Sequence, residues 1–374
     1  MRLFRLLFFI SIAGTFFTSC TPKETNDIYL CGNSSEYSAF YWVNGQKTEL
    51  SPDCYKAQVN AMEVLDGDVY CAGHIREHEG GSDIAVYWKN GEVRKITDGS
   101  CNANVLDMYV NYKVICCVGG EADGPKKKMP RRQYSFDYDI VRHDRAKAWF
   151  IYDWGTTDEL VLTKGEYHGF VNSIYVDSTN RVHLAGYDEG ISGRLIGTID
   201  AYTESRYWQL EGKTWTLDSE ERVFKHCGRA TAVFGSGTDV YVCGWNDDDL
   251  QSSGGFDALY WKDGWSKNLP DDDEVTIEDG CVNGPDWYMC GYKYSDDPRA
   301  IYYKNGQAVE LFEYGSQIQS AIHAISVAGN DVYMAGYRGN QPGYWKNDRF
   351  VPLEGFFGGE LTGIVVRESW GEKK

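Results

Sequence analysis

Gly329-Asn330-Asp331-Val332-Tyr333-Met334-Ala335-Gly336-Tyr337, followed by Gly343-Tyr344-Trp345-Lys346-Asn347 and then Val351-Pro352-Leu353, is a phrase that returns along the whole chain. The glycine that ends its first part recurs at Gly32, Gly73, Gly119, Gly186, Gly244, Gly291 and Gly336, with spacings of 41, 46, 67, 58, 47 and 45 residues. Self-similarity at that period marks an array of like structural units. A small Cys or Ala precedes each glycine except the third, where Val118 stands.

A second anchor follows each glycine after a variable insert: Trp42-Val43-Asn44-Gly45, Trp88-Lys89-Asn90-Gly91, Tyr152-Asp153-Trp154-Gly155, Trp208 to Gly212, Trp261-Lys262-Asp263-Gly264, Tyr303-Lys304-Asn305-Gly306 and Trp345-Lys346-Asn347-Asp348. Asn-Gly and Asp-Gly between apolar runs predict tight hairpins, because the type I′ turn needs positive φ at both central residues. Each repeat carries four short strand signals. In the sixth they are Asp286 to Cys290, Ala300 to Tyr303, Ala308 to Leu311 and Ala321 to Val327.

Four-stranded units in seven copies resemble the blades of a β-propeller, a resemblance that covers residues 27–367 and implies an all-β, seven-bladed ring. The chain begins at Ile28-Tyr29-Leu30 with a second-strand signal and ends at Leu361 to Val366 with a first-strand signal. The C-terminal strand is therefore expected to complete the blade begun by the three N-terminal strands, closing the ring without an open edge. On this phase the innermost strands lie around Met62, Leu106, Ile174, Val233, Gly280, Ile325 and Ile364.

Residues 1–20 stand apart. Arg2 and Arg5 precede an apolar run from Leu6 to Phe17 that is built like a secretory signal and is too short for a lasting bilayer span. Phe17-Thr18-Ser19-Cys20 resembles the lipobox of bacterial lipoproteins, with Phe17 in place of the usual Leu. The resemblance implies a lipidated Cys20 as mature N-terminus, a tether over 21–26, a tail over 368–374, and a membrane-anchored cell-envelope protein, with the outer membrane the expected address. Without Arg2 and Arg5 the formal charge goes from −18 to −20. A surface of that sign repels polyanions, so a nucleic-acid partner is not expected.

The first residue of each innermost strand is expected to ring one mouth of the central tunnel: Asn60, Asn104, Asn172, Thr231, Glu278, His323 and Thr362. In propellers generally, ligands favour this mouth. Two inserts on the same side are long, from Gly120 to about Lys147 and from Tyr187 to about Arg206. The first contains a basic cluster, Lys126, Lys127, Lys128, Arg131 and Arg132, interleaved with aromatics, which suits an acidic sugar, a phosphate or anionic lipid. Tyr187, Trp245, Tyr292 and Tyr337, with His74 in the same slot, follow the repeat glycine, and aromatic faces stack on sugar rings.

Of the other ten cysteines, Cys31, Cys243 and Cys290 occupy the small-residue slot and read as buried and unbridged. The acidic runs Asp247 to Asp249 and Asp271 to Glu274 lack an EF-hand pattern, and no Gly-x-Ser-x-Gly, P-loop or His-Glu-x-x-His occurs, so no cofactor or metal is expected. Glu211-Gly212-Lys213-Thr214-Trp215 resembles the tail of the Asp-box of sialidase-like propellers, with Leu210 where that motif has Asp. Two functions remain open. The first is a non-catalytic, monomeric binding domain for a glycan, peptide or envelope protein. The second is a polysaccharide hydrolase or lyase, with Glu278, His323, His168 and His226 as acid/base candidates.

Overall fold

The computed structural model describes residues 25–122, 144–163, 168–192, 200–212, 214–224, 227–247, 257–270, 274–293, 297–311 and 318–369. Cys20, the basic cluster from Lys126 to Arg132, His226 and most of both acidic runs lie outside the described residues.

Seven four-stranded antiparallel sheets form the blades of a propeller. Blade one contains β1 (Thr25–Asn33), β2 (Ala39–Val43) and β3 (Gln46–Leu50), and blade two β4 (Lys56–Leu65), β5 (Asp68–Arg76), β6 (Ile84–Lys89) and β7 (Glu92–Lys95). Blade three has β8 (Ala103–Val110), β9 (Val114–Ala122), β10 (Asp144–Tyr152) and β11 (Thr157–Val161). Blade four has β12 (Gly169–Val176), β13 (Val182–Ser192), β14 (Asp200–Glu211) and β15 (Thr216–Arg222). Blade five has β16 (Cys227–Ser236), β17 (Asp239–Asp247), β18 (Asp257–Lys262) and β19 (Trp265–Asn268). Blades six and seven follow as β20 (Val275–Asn283), β21 (Asp286–Lys293), β22 (Arg299–Lys304), β23 (Gln307–Glu310), then β24 (Ser320–Ala328), β25 (Asp331–Arg338), β26 (Gln341–Lys346) and β27 (Arg349–Pro352).

The last strand, β28 (Glu360–Ser369), pairs with β1 and becomes the innermost strand of blade one. The innermost strands touch in a circle from β4 through β8, β12, β16, β20 and β24 to β28, which returns to β4. Pairing runs from Thr25 opposite Ser369, so the sheet takes in two residues beyond the expected 27–367 span at each end.

Each innermost strand bulges by one residue opposite the repeat glycine. The extra residues are Asn60, Leu106, Asn172, Thr231, Glu278, His323 and Thr362. The bulge presses the carbonyl two residues upstream onto the glycine, where no side chain fits. A Cβ on Gly73 would stand 2.0 Å from the Gln58 oxygen, and the same clash recurs at 2.3 Å or less at Gly32, Gly119, Gly186, Gly244, Gly291 and Gly336. The glycine that sets the period is thus a close-approach site beneath a β-bulge.

The second anchor is a turn as expected. Asn44, Asn90, Asp263 and Asn305 and the glycines after them all have positive φ. The turn is also pinned sideways. The Asn90 Oδ1 accepts the Val69 N–H at 2.8 Å while its Nδ2 donates to Asp68 at 2.8 Å, and Asn44, Asn305 and Asn347 repeat both bonds on Ile28 and Asp27, Trp287 and Asp286, and Val332 and Asp331. Lys89, Lys304 and Lys346 pair with Asp68, Asp286 and Asp331. Of the tryptophans before these turns, Trp88, Trp208 and Trp345 are core residues at most 1% exposed, whereas Trp261 is half-buried.

The third repeat departs from expectation. Its buried tryptophan is Trp149, opposite Cys117, because a longer turn carries Tyr152 and the exposed Trp154 outward. The fourth repeat's long insert is mostly a hairpin arm, paired as far as Ser192 opposite Asp200. Among the described residues, Cys31, Cys54, Cys71, Cys101, Cys116, Cys117, Cys243, Cys281 and Cys290 are free. Gly73→Ala is expected to cost about 3 kcal/mol or more in chemical denaturation, against about 1 kcal/mol for Gly45→Ala, whose Cβ would meet nothing within 4 Å. Equal losses would show that the bulge yields.

Candidate functional site

The expected mouth ring is corrected in two ways. Its members lie at the second to fifth position of their strands, because the strands start before the bulge. In blade three the ring position is Leu106, an apolar residue, and Asn104 sits two residues upstream, opposite Gly120.

Several ring side chains hold blade to blade. Thr362 donates to the Val59 carbonyl at 3.0 Å, Asn60 to that of Val105 at 2.6 Å, and Asn172 to that of Ala230 at 2.8 Å. In each case the acceptor is the residue just before the next blade's bulge. Thr231 instead turns to the Cys243 carbonyl in its own blade, at 3.3 Å. Asn104 accepts from Asn60 at 2.9 Å and lies 3.0 Å from Nδ1 of His74, whose pKa burial pushes down. His74 is buried in this network, so it offers no stacking face at the mouth.

In blades three, four and six the residue after the bulge adds a second set of stitches. Asp107 accepts the N–H of Ile174 at 2.9 Å, Ser173 that of Val233 at 3.1 Å, and Asp279 that of Ile325 at 3.0 Å, each from the following blade. These rigidly held carboxylates, with Glu63, belong to innermost strands and are neither buried nor fully exposed. Asp107 on blade three acts electrostatically on both Glu63 on blade two and Asp279 on blade six, so their charges share the central space. Desolvation raises Glu63 and Asp279 to about 7 and Asp107 to about 6; Asp107 adds repulsion at Glu63, and at Asp279 the N–H groups of Ile325 and Gly280 oppose the rise.

Blades six, seven and one bring three titratable groups together. His323 Nε2 lies 3.4 Å from the Glu360 carboxylate, an ion pair rather than a directed hydrogen bond. Burial alone would lower the imidazole pKa, but the Glu360 contact and the field of Glu278 raise it. Glu360 is held below the usual carboxylate range by His323, while desolvation raises Glu278, with His323 opposing and Glu360 reinforcing. Tyr292 and Tyr337 flank His323 at ring separations of 6.4 and 6.0 Å.

Blades four and five build a parallel group. The Arg229 guanidinium lies 4.3 Å from the Tyr187 ring and 5.9 Å from that of Trp245, and pairs with Glu189 at 3.3 Å. Tyr187, Trp245, Tyr292 and Tyr337 are all half-buried. His168 adjoins this group: its ring lies 2.9 Å from Asp144, and its carbonyl accepts the Glu189 N–H at 2.8 Å. Among the described residues no cluster is arranged to hold a metal ion.

Glu360 and Arg229 were not among the sequence candidates. Both occupy the slot two residues before the bulge, whose carbonyl rests on the repeat glycine, with Gln58, Asn104, Phe170, Thr276 and Ala321 as its other members. Aligning the repeats on that contact identifies them.

The tunnel carboxylates predict a pH dependence of stability. Glu63 keeps its proton to about pH 7 in the folded chain, against a reference of 4.5. Between those values the unfolded chain holds fewer protons, so this group makes stability fall as pH rises. Glu63→Gln should raise unfolding free energy by roughly 1 to 3 kcal/mol above pH 7 and leave it unchanged below about pH 4. A uniform change across pH in urea titrations would contradict the assignment.

No protein-family model and no curated protein matches this sequence. Among solved structures, the fold is similar to the acylaminoacyl peptidase of Pyrococcus horikoshii, at 11% identity and a TM-score of 0.52, over 88% of this chain and 51% of that one. A putative 6-phosphogluconolactonase from Bacteroides uniformis gives 10% identity and a TM-score of 0.50, over 91% of this chain and 99% of that one. This chain spans about half the length of the peptidases it matches, and at these identities the likeness is one of fold alone.

Proposed function

We propose that this protein is a non-catalytic, lipid-anchored cell-envelope propeller whose mouth binds a partner, a glycan in preference to a peptide or protein. The anchor rests on the signal-like run and on Cys20 within Phe17-Thr18-Ser19-Cys20. The observation that carries the binding reading is the pairing of half-buried aromatic rings with an ionisable side chain at two points of the same mouth: Tyr292 and Tyr337 around His323, and Tyr187 and Trp245 around Arg229. Rings present flat apolar faces to sugar C–H groups while the adjacent charges bind hydroxyls, the combination that orients a saccharide.

A second reading, a polysaccharide hydrolase or lyase, is favoured by one feature. Glu278 tends to hold its proton and Glu360 to lose it, on either side of His323, which is the division of labour an acid/base pair requires. The pairing of rings with an ionisable side chain recurs at two points of the mouth while this division occurs at one, and the binding reading therefore comes first.

A glycan array probed with the soluble domain, together with Glu278→Gln, His323→Ala and Arg229→Ala, separates the two. Binding weakened about tenfold by His323→Ala and Arg229→Ala, with no product released, supports the binder. Turnover abolished by Glu278→Gln supports the enzyme, and an array silent for the wild type removes the glycan reading. Cys20→Ser should leave an unlipidated precursor and release the protein from the membrane fraction; retention there would contradict the anchor.

A further inference from the structure

The slot opposite the repeat glycine on the third strand is apolar in four blades, with Phe40, Val86, Leu259 and Ile301, is Gly343 in blade seven, and in blade four is Arg206, half-buried and paired with Glu204 and Glu220. Blade three places Lys147 there, opposite Gly119. The residue is only 8% exposed and its ammonium pairs with Glu121 and, at 3.1 Å, with Glu159. A buried ionic group replaces hydrophobic packing at a cost in stability, so its presence in a core slot calls for another use.

A cleft of about 430 Å³ opens beside it between blades two and three, lined by Thr97, Asp98, Glu121, Trp149 and Glu159 with Lys147. One interface back the cavity is smaller, about 140 Å³, and the equivalent indole is satisfied. There Trp88 Nε1 donates to Ser51 across blades at 2.9 Å. Trp149 is the equivalent of Trp88, each lying two residues before the glycine in register, and Thr97 is the equivalent of Ser51. Thr97 Oγ1 is instead taken up by the Ala85 N–H at 3.1 Å, and the indole N–H of Trp149, in a residue 2% exposed, has no partner. The Trp208 indole is also unpartnered, so the distinguishing feature is its combination with the cleft and the buried ammonium.

We infer that the cleft between blades two and three is a second saccharide site, taking a neutral or amino sugar. Sugar hydroxyls both donate and accept, and the lining supplies both complements: Glu121, Glu159 and Asp98 accept, while the Lys147 ammonium and the Trp149 N–H donate. The volume falls in the range of small-molecule sites, roughly 300 to 1,000 Å³. Three carboxylates against one ammonium disfavour an acidic sugar. The choice of a sugar rests on reading the mouth as a glycan site; the cleft itself stands on its own residues.

The test is a titration of the mature protein, labelled with ¹⁵N at the tryptophan indoles, with glucose, glucosamine and glucuronate. The Trp149 resonance is identified by its loss in Trp149→Phe. Glucose or glucosamine should shift it and glucuronate should not. The shift should vanish in Thr97→Trp, or in Ser100→Trp if the first variant melts early, because either fills the cleft. It should persist in His323→Ala, which alters only the mouth, so failure of the mouth reading and failure of the cleft reading are told apart. A Trp149 resonance unmoved by all three sugars, moved equally by glucuronate, or still moved when the cleft is filled overturns the inference.

Discussion

A backbone carbonyl lying directly on an α-carbon without a side chain is the contact on which the rest of this propeller depends. It occurs once per blade, where the bulged innermost strand crosses the repeat glycine. The bulge inserts one residue out of register, and that residue and its neighbours meet the adjoining blade instead of continuing the regular alternation of the sheet. Asn60, Asn172 and Thr362 use that freedom to reach the next blade's carbonyls, and Asp107, Ser173 and Asp279 to reach its N–H groups. Hydrophobic faces pack the blades together, while these bonds set their angular spacing around the tunnel.

Ring closure and site formation are the same event in blade one. The strand that completes its sheet comes from the end of the chain, and Glu360, its first residue, is the partner of His323 in blade seven. Glu278 on blade six joins them electrostatically. Three residues separated by up to 82 positions in the sequence thus meet only when the ends of the chain have paired. The carboxylates further along the tunnel, Glu63, Asp107 and Asp279, are held where poor solvation opposes ionisation, with repulsion from Asp107 adding to it at Glu63 and Asp279. A scaffold rigid enough to tolerate that arrangement is what the double set of interblade bonds supplies.

The architecture was legible in the sequence because its determinants are local and repeated. A glycine is required wherever the carbonyl rests on it, and an Asn-Gly pair wherever both turn residues need positive φ, so blade number, strand order and the pairing of the chain's ends could all be read. The site was legible in part. Glu278 and His323 stood at identifiable repeat positions, but Glu360 and Arg229 lie two residues upstream of the bulge, and the offset is visible only once the carbonyl contact is known. Asn104, expected in the mouth ring with the others, lies two residues before its strand's bulge, because the register puts Leu106 at that position. In the same way the hairpin motif drew attention to Tyr152 in blade three, whereas the core slot belongs to Trp149, displaced by a longer turn. The burial of Lys147 was not legible because a lone lysine carries no periodic signal, and its partners Glu121 and Glu159 lie on flanking strands.

The coupling of closure to the mouth is most directly tested by the titration of His323, followed by NMR of the imidazole in the wild type and in Glu360→Gln. The paired β28 carboxylate should hold the wild-type pKa above the ordinary 6.5, and the variant should bring it down, since burial then acts with less opposition. The same pKa in both proteins would contradict the account.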